Sequence, residues 1–152
     1  MKKIILVVLF ISSFTVFSQN ELTWHTDFTE AAKLSQKTNK PIMANFTGSD
    51  WCGWCKVLKR EVFVTDEFKK WAKKNVILLE LDFPRRKQLS PELKKQNSAL
   101  QRAFGVRGYP TVWLFNVGKE KDPKKDLVPL GKTGYIKGGA KVWIASIDKY
   151  LP

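Results

Sequence analysis

The chain has two cysteines, and only two residues separate them, in Trp51-Cys52-Gly53-Trp54-Cys55-Lys56. A pair this close cannot tie distant parts of a fold together. Its placement is equally limiting. An almost unbroken apolar run, Pro41-Ile42-Met43-Ala44-Asn45-Phe46, ends shortly before it, and a polar turn, Thr47-Gly48-Ser49-Asp50, leads into it. A helical pattern carrying Val57, Leu58, Glu61 and Val62 follows. The start of a helix directs unpaired N–H groups and the positive end of the dipole at the first sulfur. That favours the thiolate, which is the nucleophile of disulfide exchange. Cys55, about one helical turn later, can attack the mixed disulfide that results. Such a pair can cycle between dithiol and disulfide.

Other chemistries are open to two cysteines. A zinc site takes about four ligands, and this chain offers Cys52, Cys55 and His25, so the site would have to be shared between chains. Covalent haem attachment needs a histidine directly after the second cysteine, where Lys56 stands. A disulfide serving only as a staple would close a very small loop and remove little unfolded-state entropy. Redox exchange is the favoured reading, with no metal, haem or nucleotide cofactor implied.

The length of 152 residues suits one domain, and 43% hydrophobic residues with ten Phe and six Trp suffice for a core. Residues 1–18 form a separate object. Lys2 and Lys3 precede an apolar run from Ile4 to Phe17, broken only by Ser12, Ser13 and Thr15, and Val16 and Ser18 suit the positions before a cut. This is the pattern of a secretory signal peptide. The run is shorter than the roughly 20 residues of a spanning helix. The mature chain, 19–152, is expected to begin at Gln19 without stable membrane insertion, in a periplasmic or secreted setting where disulfides form. The net charge of +13 is spread over Lys69-Lys70, Lys73-Lys74, Arg85-Arg86-Lys87, Lys94-Lys95 and Lys124-Lys125. No stripe interleaves these with aromatics, so a solvated surface is expected rather than a nucleic-acid partner.

Taken in order, Leu22 to Trp24 begins a strand. Asp27, with Glu30 three residues on, resembles a capping box and opens a helix with Phe28, Ala31, Ala32 and Ser35 on one face, ending near Thr38-Asn39. Pro41 to Phe46 reads as a strand covered on both faces. After the cysteines, Val62-Phe63-Val64 should bend or break the helix, and Thr65-Asp66 caps another that runs through Phe68 and Trp71. Val76 to Leu81 is a second buried strand, interrupted by Glu80. Asp82 to Leu89 is a basic loop. Ser90-Pro91 starts a helix with Leu93, Leu100 and Phe104 inward, ending near Gly105. Thr111 to Phe115 and Leu127 to Leu130 form an antiparallel hairpin across a charged connection, Gly118 to Asp126. A last helix from about Gly139 aligns Ala140, Trp143, Ile144, Ile147 and Leu151. Strands alternating with helices imply an α/β fold with a mixed sheet between helical layers.

Over roughly residues 21–151 the chain resembles the thioredoxin family. The resemblance rests on Trp51-Cys52-Gly53-Trp54-Cys55 after a buried strand, on Gly108-Tyr109-Pro110-Thr111 before the third main strand, and on the element order. It looks most like secreted single-domain members. The resemblance implies a thioredoxin fold and a thiol–disulfide oxidoreductase acting on protein thiols and disulfides, with a redox partner protein that the sequence does not name. It implies Cys52 as nucleophile and Cys55 as resolving thiol. It also implies a cis Pro110 beside the cysteines, with Tyr109 and Pro110 lining the substrate groove. Trp51, Gly53 and Trp54 would complete that groove, the indoles offering an apolar platform to an extended chain. A proline entering a central strand is unusual in its own right, because it cannot donate to the ladder.

The chain also departs from the family pattern. Trp54 stands where cytosolic reducing thioredoxins carry proline. The buried aspartate of the family is matched by Asn45, which cannot take the proton Cys55 must lose. Glu80 or water would have to substitute, although Glu80 itself reads as a strand-edge or exposed charge. These departures leave the direction of electron flow open between reductase, oxidant and isomerase. A binding module or redox sensor is the alternative from another class. Lys56 reads equally as a thiolate-favouring charge or a solvated one, and His25 as a surface or cap residue.

Overall fold

The computed structural model describes residues 21–119 and 126–152. The signal-peptide expectation for residues 1–18 and the pair Lys124-Lys125 lie outside the described residues. Five strands, β1 (Trp24–His25), β2 (Ile42–Thr47), β3 (Ile77–Asp82), β4 (Thr111–Val117) and β5 (Leu127–Thr133), form one sheet in the order β1-β3-β2-β4-β5. The first three are parallel, and β4 and β5 are antiparallel additions. Helices α1 (Phe28–Thr38), α2 (Gly53–Leu58), α3 (Asp66–Asn75), α4 (Pro91–Ala103) and α5 (Gly139–Asp148) cover both faces.

The near-continuous apolar reading of β2 follows from this double cover. Its successive side chains point to opposite faces. Ile42, Ala44 and Phe46 join Phe28, Leu79, Leu100, Phe104 and Phe115 under α1 and α4. Met43 points the other way, toward Leu58, Phe63, Phe68, Leu78, Leu114 and Trp143 under α2, α3 and α5. Asn45 and Thr47 share that second face by parity. So do Glu80 and Asp82, because β2 and β3 pair in register, Asn45 beside Glu80 and Thr47 beside Asp82. Four polar residues therefore gather at the C-terminal ends of the two central parallel strands, where open α/β sheets place their ligands.

Local signals set the helix starts. The Asp27 carboxylate accepts N–H groups of Thr29 and Glu30, and Thr65 and Ser90 hydroxyls accept those of Phe68 and Leu93. The capping box is half made, since the Glu30 carboxylate lies 3.9 Å from His25 on β1. α1 closes on Asn39 in the left-handed region, φ 54°.

Other expectations change in tertiary context. At the expected break the chain takes a π-helical turn, Lys59–Phe63, closed by the Val64 N–H donating to the Lys59 carbonyl at 3.1 Å. The wider turn buries Val62 and Phe63 together and leaves Val64 exposed. Leu93 is only half-buried; Asn97, one turn later, is the buried residue, and its amide donates to the Asp82 carbonyl at 2.9 Å. β5 runs on to Thr133 through a bulge at Leu130, with Pro129 tolerated on an edge strand. Leu151 lies beyond α5 but packs on the same core.

Trp143 is the largest fully buried side chain. Its ring meets Phe63 and Phe68 edge-on at 5.4 and 5.9 Å, and its indole N–H donates to the Gly134 carbonyl at 2.8 Å. Trp143→Ala should cost about 3–5 kcal/mol in chemical denaturation. The same change at the exposed neighbour Val142 should cost no more than about 0.5 kcal/mol.

Candidate active site

Cys52 is the N-cap of α2, and Cys55 lies in its first turn. The two are joined as a disulfide, with Cα atoms 5.3 Å apart. The Cys55 N–H points at Cys52 Sγ at 3.2 Å. Both cysteines are buried to the same degree, at 6% exposure. Burial therefore does not separate their roles. What differs is their surroundings. Cys52 has the helix-start N–H, which stabilises a thiolate. Cys55 faces inward, onto a cavity of about 330 Å³ shared with Asn45, Thr47, Ser49, Lys56, Lys59 and Glu80.

Glu80 corrects the sequence reading. It is neither an edge nor an exposed charge, because β3 lies between β1 and β2 and the side chain is half-buried on the cavity wall. Burial pushes its carboxyl above the ordinary value of 4.5, helped by the charge of Asp82 and opposed by Lys59 and Lys87. Asn45 is buried, and its Oδ1 has no protein partner. A cavity of this size with several polar groups on its wall has room and partners for water.

Above the cavity, two carboxylates bind the motif to the loop after β3. Asp82 accepts the Ser49 N–H at 2.9 Å and its hydroxyl at 2.6 Å. Asp50 accepts the backbone N–H groups of Arg85, Arg86 and Lys87 at 3.0, 2.7 and 3.1 Å. Those N–H bonds, Arg85's first, hold the Asp50 carboxyl down at about 2. The Lys56 ammonium donates back to the Asp50 carbonyl at 3.2 Å.

The sequence-predicted groove residues divide into two groups. Trp51 donates its indole N–H to the Phe83 carbonyl at 2.8 Å and meets the Tyr109 ring edge-on at 5.8 Å. Gly48 makes room for it, since a Cβ there would come within 2.5 Å of the indole. Tyr109 is also held by Phe83 at 5.2 Å and by Gln101, whose amide donates to its hydroxyl at 2.8 Å. The Tyr109–Pro110 peptide is cis. On the other side Trp54 is 61% exposed and stacks on Tyr135 at 5.2 Å. Tyr135 in turn donates to Glu61 at 2.6 Å, which lowers the Glu61 carboxyl. Nothing lies within 4 Å of where a Gly53 Cβ would stand, so the space there is open. His25, on β1, is not among the residues lining the cavity.

Sequence reasoning did not single out Tyr135, Phe83, Asp50 or Arg85 as site residues. Tyr135 and Phe83 carry no local signal. Asp50 and the 85–87 cluster were visible as charges, but their mutual grip spans more than 30 positions.

Comparison with known proteins agrees with this geometry. The profile of the family described as Thioredoxin-like domain matches residues 28–122. A disulfide bond reductase DsbH of Chlamydia pneumoniae is 30% identical over 131 residues, covering 86% of this chain and 73% of the relative. A solved structure of a DsbH oxidoreductase superposes with TM-score 0.75 at 28% identity, covering 86% of this chain and 84% of that one. A thioredoxin from Thermus thermophilus, TM-score 0.61 at 16% identity over 84% and 85% of the two chains, shares the fold.

Asp50→Asn should release the 85–87 loop. A carboxyl lowered from 3.8 to about 2 contributes stability above 3.8 and loses it as pH falls through about 2. Hydrogen exchange at the Arg85, Arg86 and Lys87 amides should therefore stay slow in the wild type well below pH 3.8, and should be faster in the variant at every pH above that.

Proposed function

Because the chain belongs to the thioredoxin-like family and is a thiol–disulfide oxidoreductase with a Cys52–Cys55 pair, we propose that it reduces disulfides in protein substrates outside the cytoplasm. The observation that carries the reading is the unequal setting of the two sulfurs, one capping a helix and the other facing a polar cavity. The reducing direction is supported by the similarity to a protein named as a disulfide bond reductase. Residues 1–18 act as the export signal, and Gln19 begins the mature chain.

In the reduced enzyme the Cys52 thiolate attacks one sulfur of a substrate disulfide. That S–S bond breaks, one substrate thiolate leaves and takes a proton, and a mixed disulfide joins Cys52 to the substrate. Cys55 then loses its proton, and its sulfur attacks Cys52 Sγ. The second substrate thiolate leaves and the Cys52–Cys55 disulfide forms. Two electrons have passed to the substrate, and the dithiol of a redox partner protein returns them. Trp51, Tyr109 and Pro110 on one side and Trp54 on the other guide the extended substrate over the open space at Gly53.

The Cys55 proton goes to Glu80 across the cavity. A carboxylate with a raised pKa is a better acceptor for a thiol proton than an ordinary one. Asn45 holds the polar wall without taking the proton.

Two experiments test the reading. Cys55→Ser should accumulate covalent complexes with substrate proteins on non-reducing gels, released by a reductant, while Cys52→Ser should trap few and lose turnover. If only Cys52→Ser traps partners, the roles are reversed, and if neither variant alters turnover the oxidoreductase reading fails.

Glu80→Gln should slow resolution of the mixed disulfide by about tenfold or more in single turnovers. Because the carboxyl is raised above 4.5, the wild-type rate should fall with acid while the pH is still above that value. The variant should lack that limb and recover as hydroxide rises. An unchanged pH profile would remove Glu80 from the mechanism.

A further inference from the structure

We infer that Arg85, stacked on Trp51, forms a carboxylate-binding flank of the substrate groove, and that the protein selects polypeptides with an aspartate or glutamate close to the reacting cysteine. The inference rests on the exchange reaction proposed above and adds a substrate class to it.

The guanidinium carbon of Arg85 lies 4.0 Å from the centre of the Trp51 ring. Neither partner of this stack hangs loose. The indole is pinned by its bond to the Phe83 carbonyl and by the edge-on ring of Tyr109, above a glycine that leaves no room for another side chain. The Arg85 backbone is held by the Asp50 carboxylate, along with those of Arg86 and Lys87. A guanidinium lying on an aromatic face keeps its N–H donors at the edge, where they can fork onto a carboxylate in plane.

Charge on this face is unbalanced. Asp50 spends its oxygens on three backbone N–H groups, and Asp82 spends its own on Ser49. The described ion pairs join His25 to Glu30, Arg60 to Glu61, Lys69 to Asp66 and Lys141 to Glu67. Arg85, Arg86 and Lys87 enter none of them. Lys87 faces the charge of Glu80, so the two arginines are the cations presented beside a motif whose carboxylates already serve to hold the backbone.

Proximity to the reaction makes this a matter of selectivity. Trp51 is the residue before Cys52, and in the mixed disulfide the substrate cysteine is bonded to Cys52 itself. An extended chain advances about 3.3 Å per residue. Positions one to three residues from the substrate cysteine therefore pass within the reach of a long arginine side chain on Trp51. A carboxylate there completes the charge balance that the protein leaves open, and a lysine there is repelled.

The test uses pre-reduced mature protein in single turnovers with three peptides. They differ only in having Glu, Ala or Lys flanking one cysteine, which is bonded to a small chromophoric thiol. Each turnover releases the peptide thiol and the chromophore and leaves the Cys52–Cys55 disulfide. The wild type should favour the Glu peptide over the Lys peptide by about tenfold at low salt, less as salt is added. Arg85→Gln should lower that ratio several-fold, Arg86 leaving a weaker residual preference. Arg85→Lys should recover only part of it, because the charge returns without the planar fork. Lys95→Gln removes the same charge from exposed α4 and should leave the ratio as it was.

An unchanged ratio in Arg85→Gln overturns the inference. So does an equal fall on all three peptides, which would make Arg85 a support for the motif, or an equal loss of ratio in Lys95→Gln, which would assign the preference to overall charge. If the wild type exchanges none of the peptides, the oxidoreductase reading itself fails.

Discussion

The grip of two carboxylates on backbone and hydroxyl groups around the cysteine motif is the constraint on which the rest of the site depends. Asp82 at the end of β3 fastens Ser49, and Asp50 fastens the loop that leaves β3. Together they join the turn before the cysteines to the neighbouring strand and its exit loop. Charge-assisted bonds of this kind are shorter and stronger than neutral ones, and five N–H or O–H donors are satisfied at once. Cys52 is thereby held at the mouth of α2, and Trp51 is brought against Phe83 and Tyr109.

Beneath the motif the sheet gives up apolar burial for polar function. Asn45 sets its Oδ1 on the cavity wall with no partner from the protein. Glu80 adds a carboxyl whose burial disfavours its charge. Both line the cavity that Lys59 and Phe63 of the π-helical turn also border. Such turns are often found at functional sites. The cost is borne by the two aromatic-rich cores, which close the sheet on both faces away from the cavity.

Much of this was legible in the chain, for physical reasons that differ from element to element. Asp27, Thr65 and Ser90 announce helix starts because a cap bonds to N–H groups two or three residues away. β2 and β3 show as apolar runs because both their faces are covered. Leu93 misled because α4 makes its inward contact one turn later, through Asn97, whose partner on β3 lies 15 positions away in sequence. Glu80 misled because a charge in an apolar run looks the same whether it faces solvent or a cavity.

By itself, then, the sequence determined the elements, their order and the chemistry of the cysteine pair, since each depends on residues within a turn or a strand of one another. Only the tertiary structure decided what surrounds that pair. Register put Asn45 beside Glu80 on one face of the sheet. Loop packing put Arg85 over Trp51, and the join between β5 and α5 put Tyr135 beneath Trp54. No local pattern encodes these meetings, because each is a contact between side chains far apart in the chain. Such contacts form only when the sheet and its helices have closed around a common core.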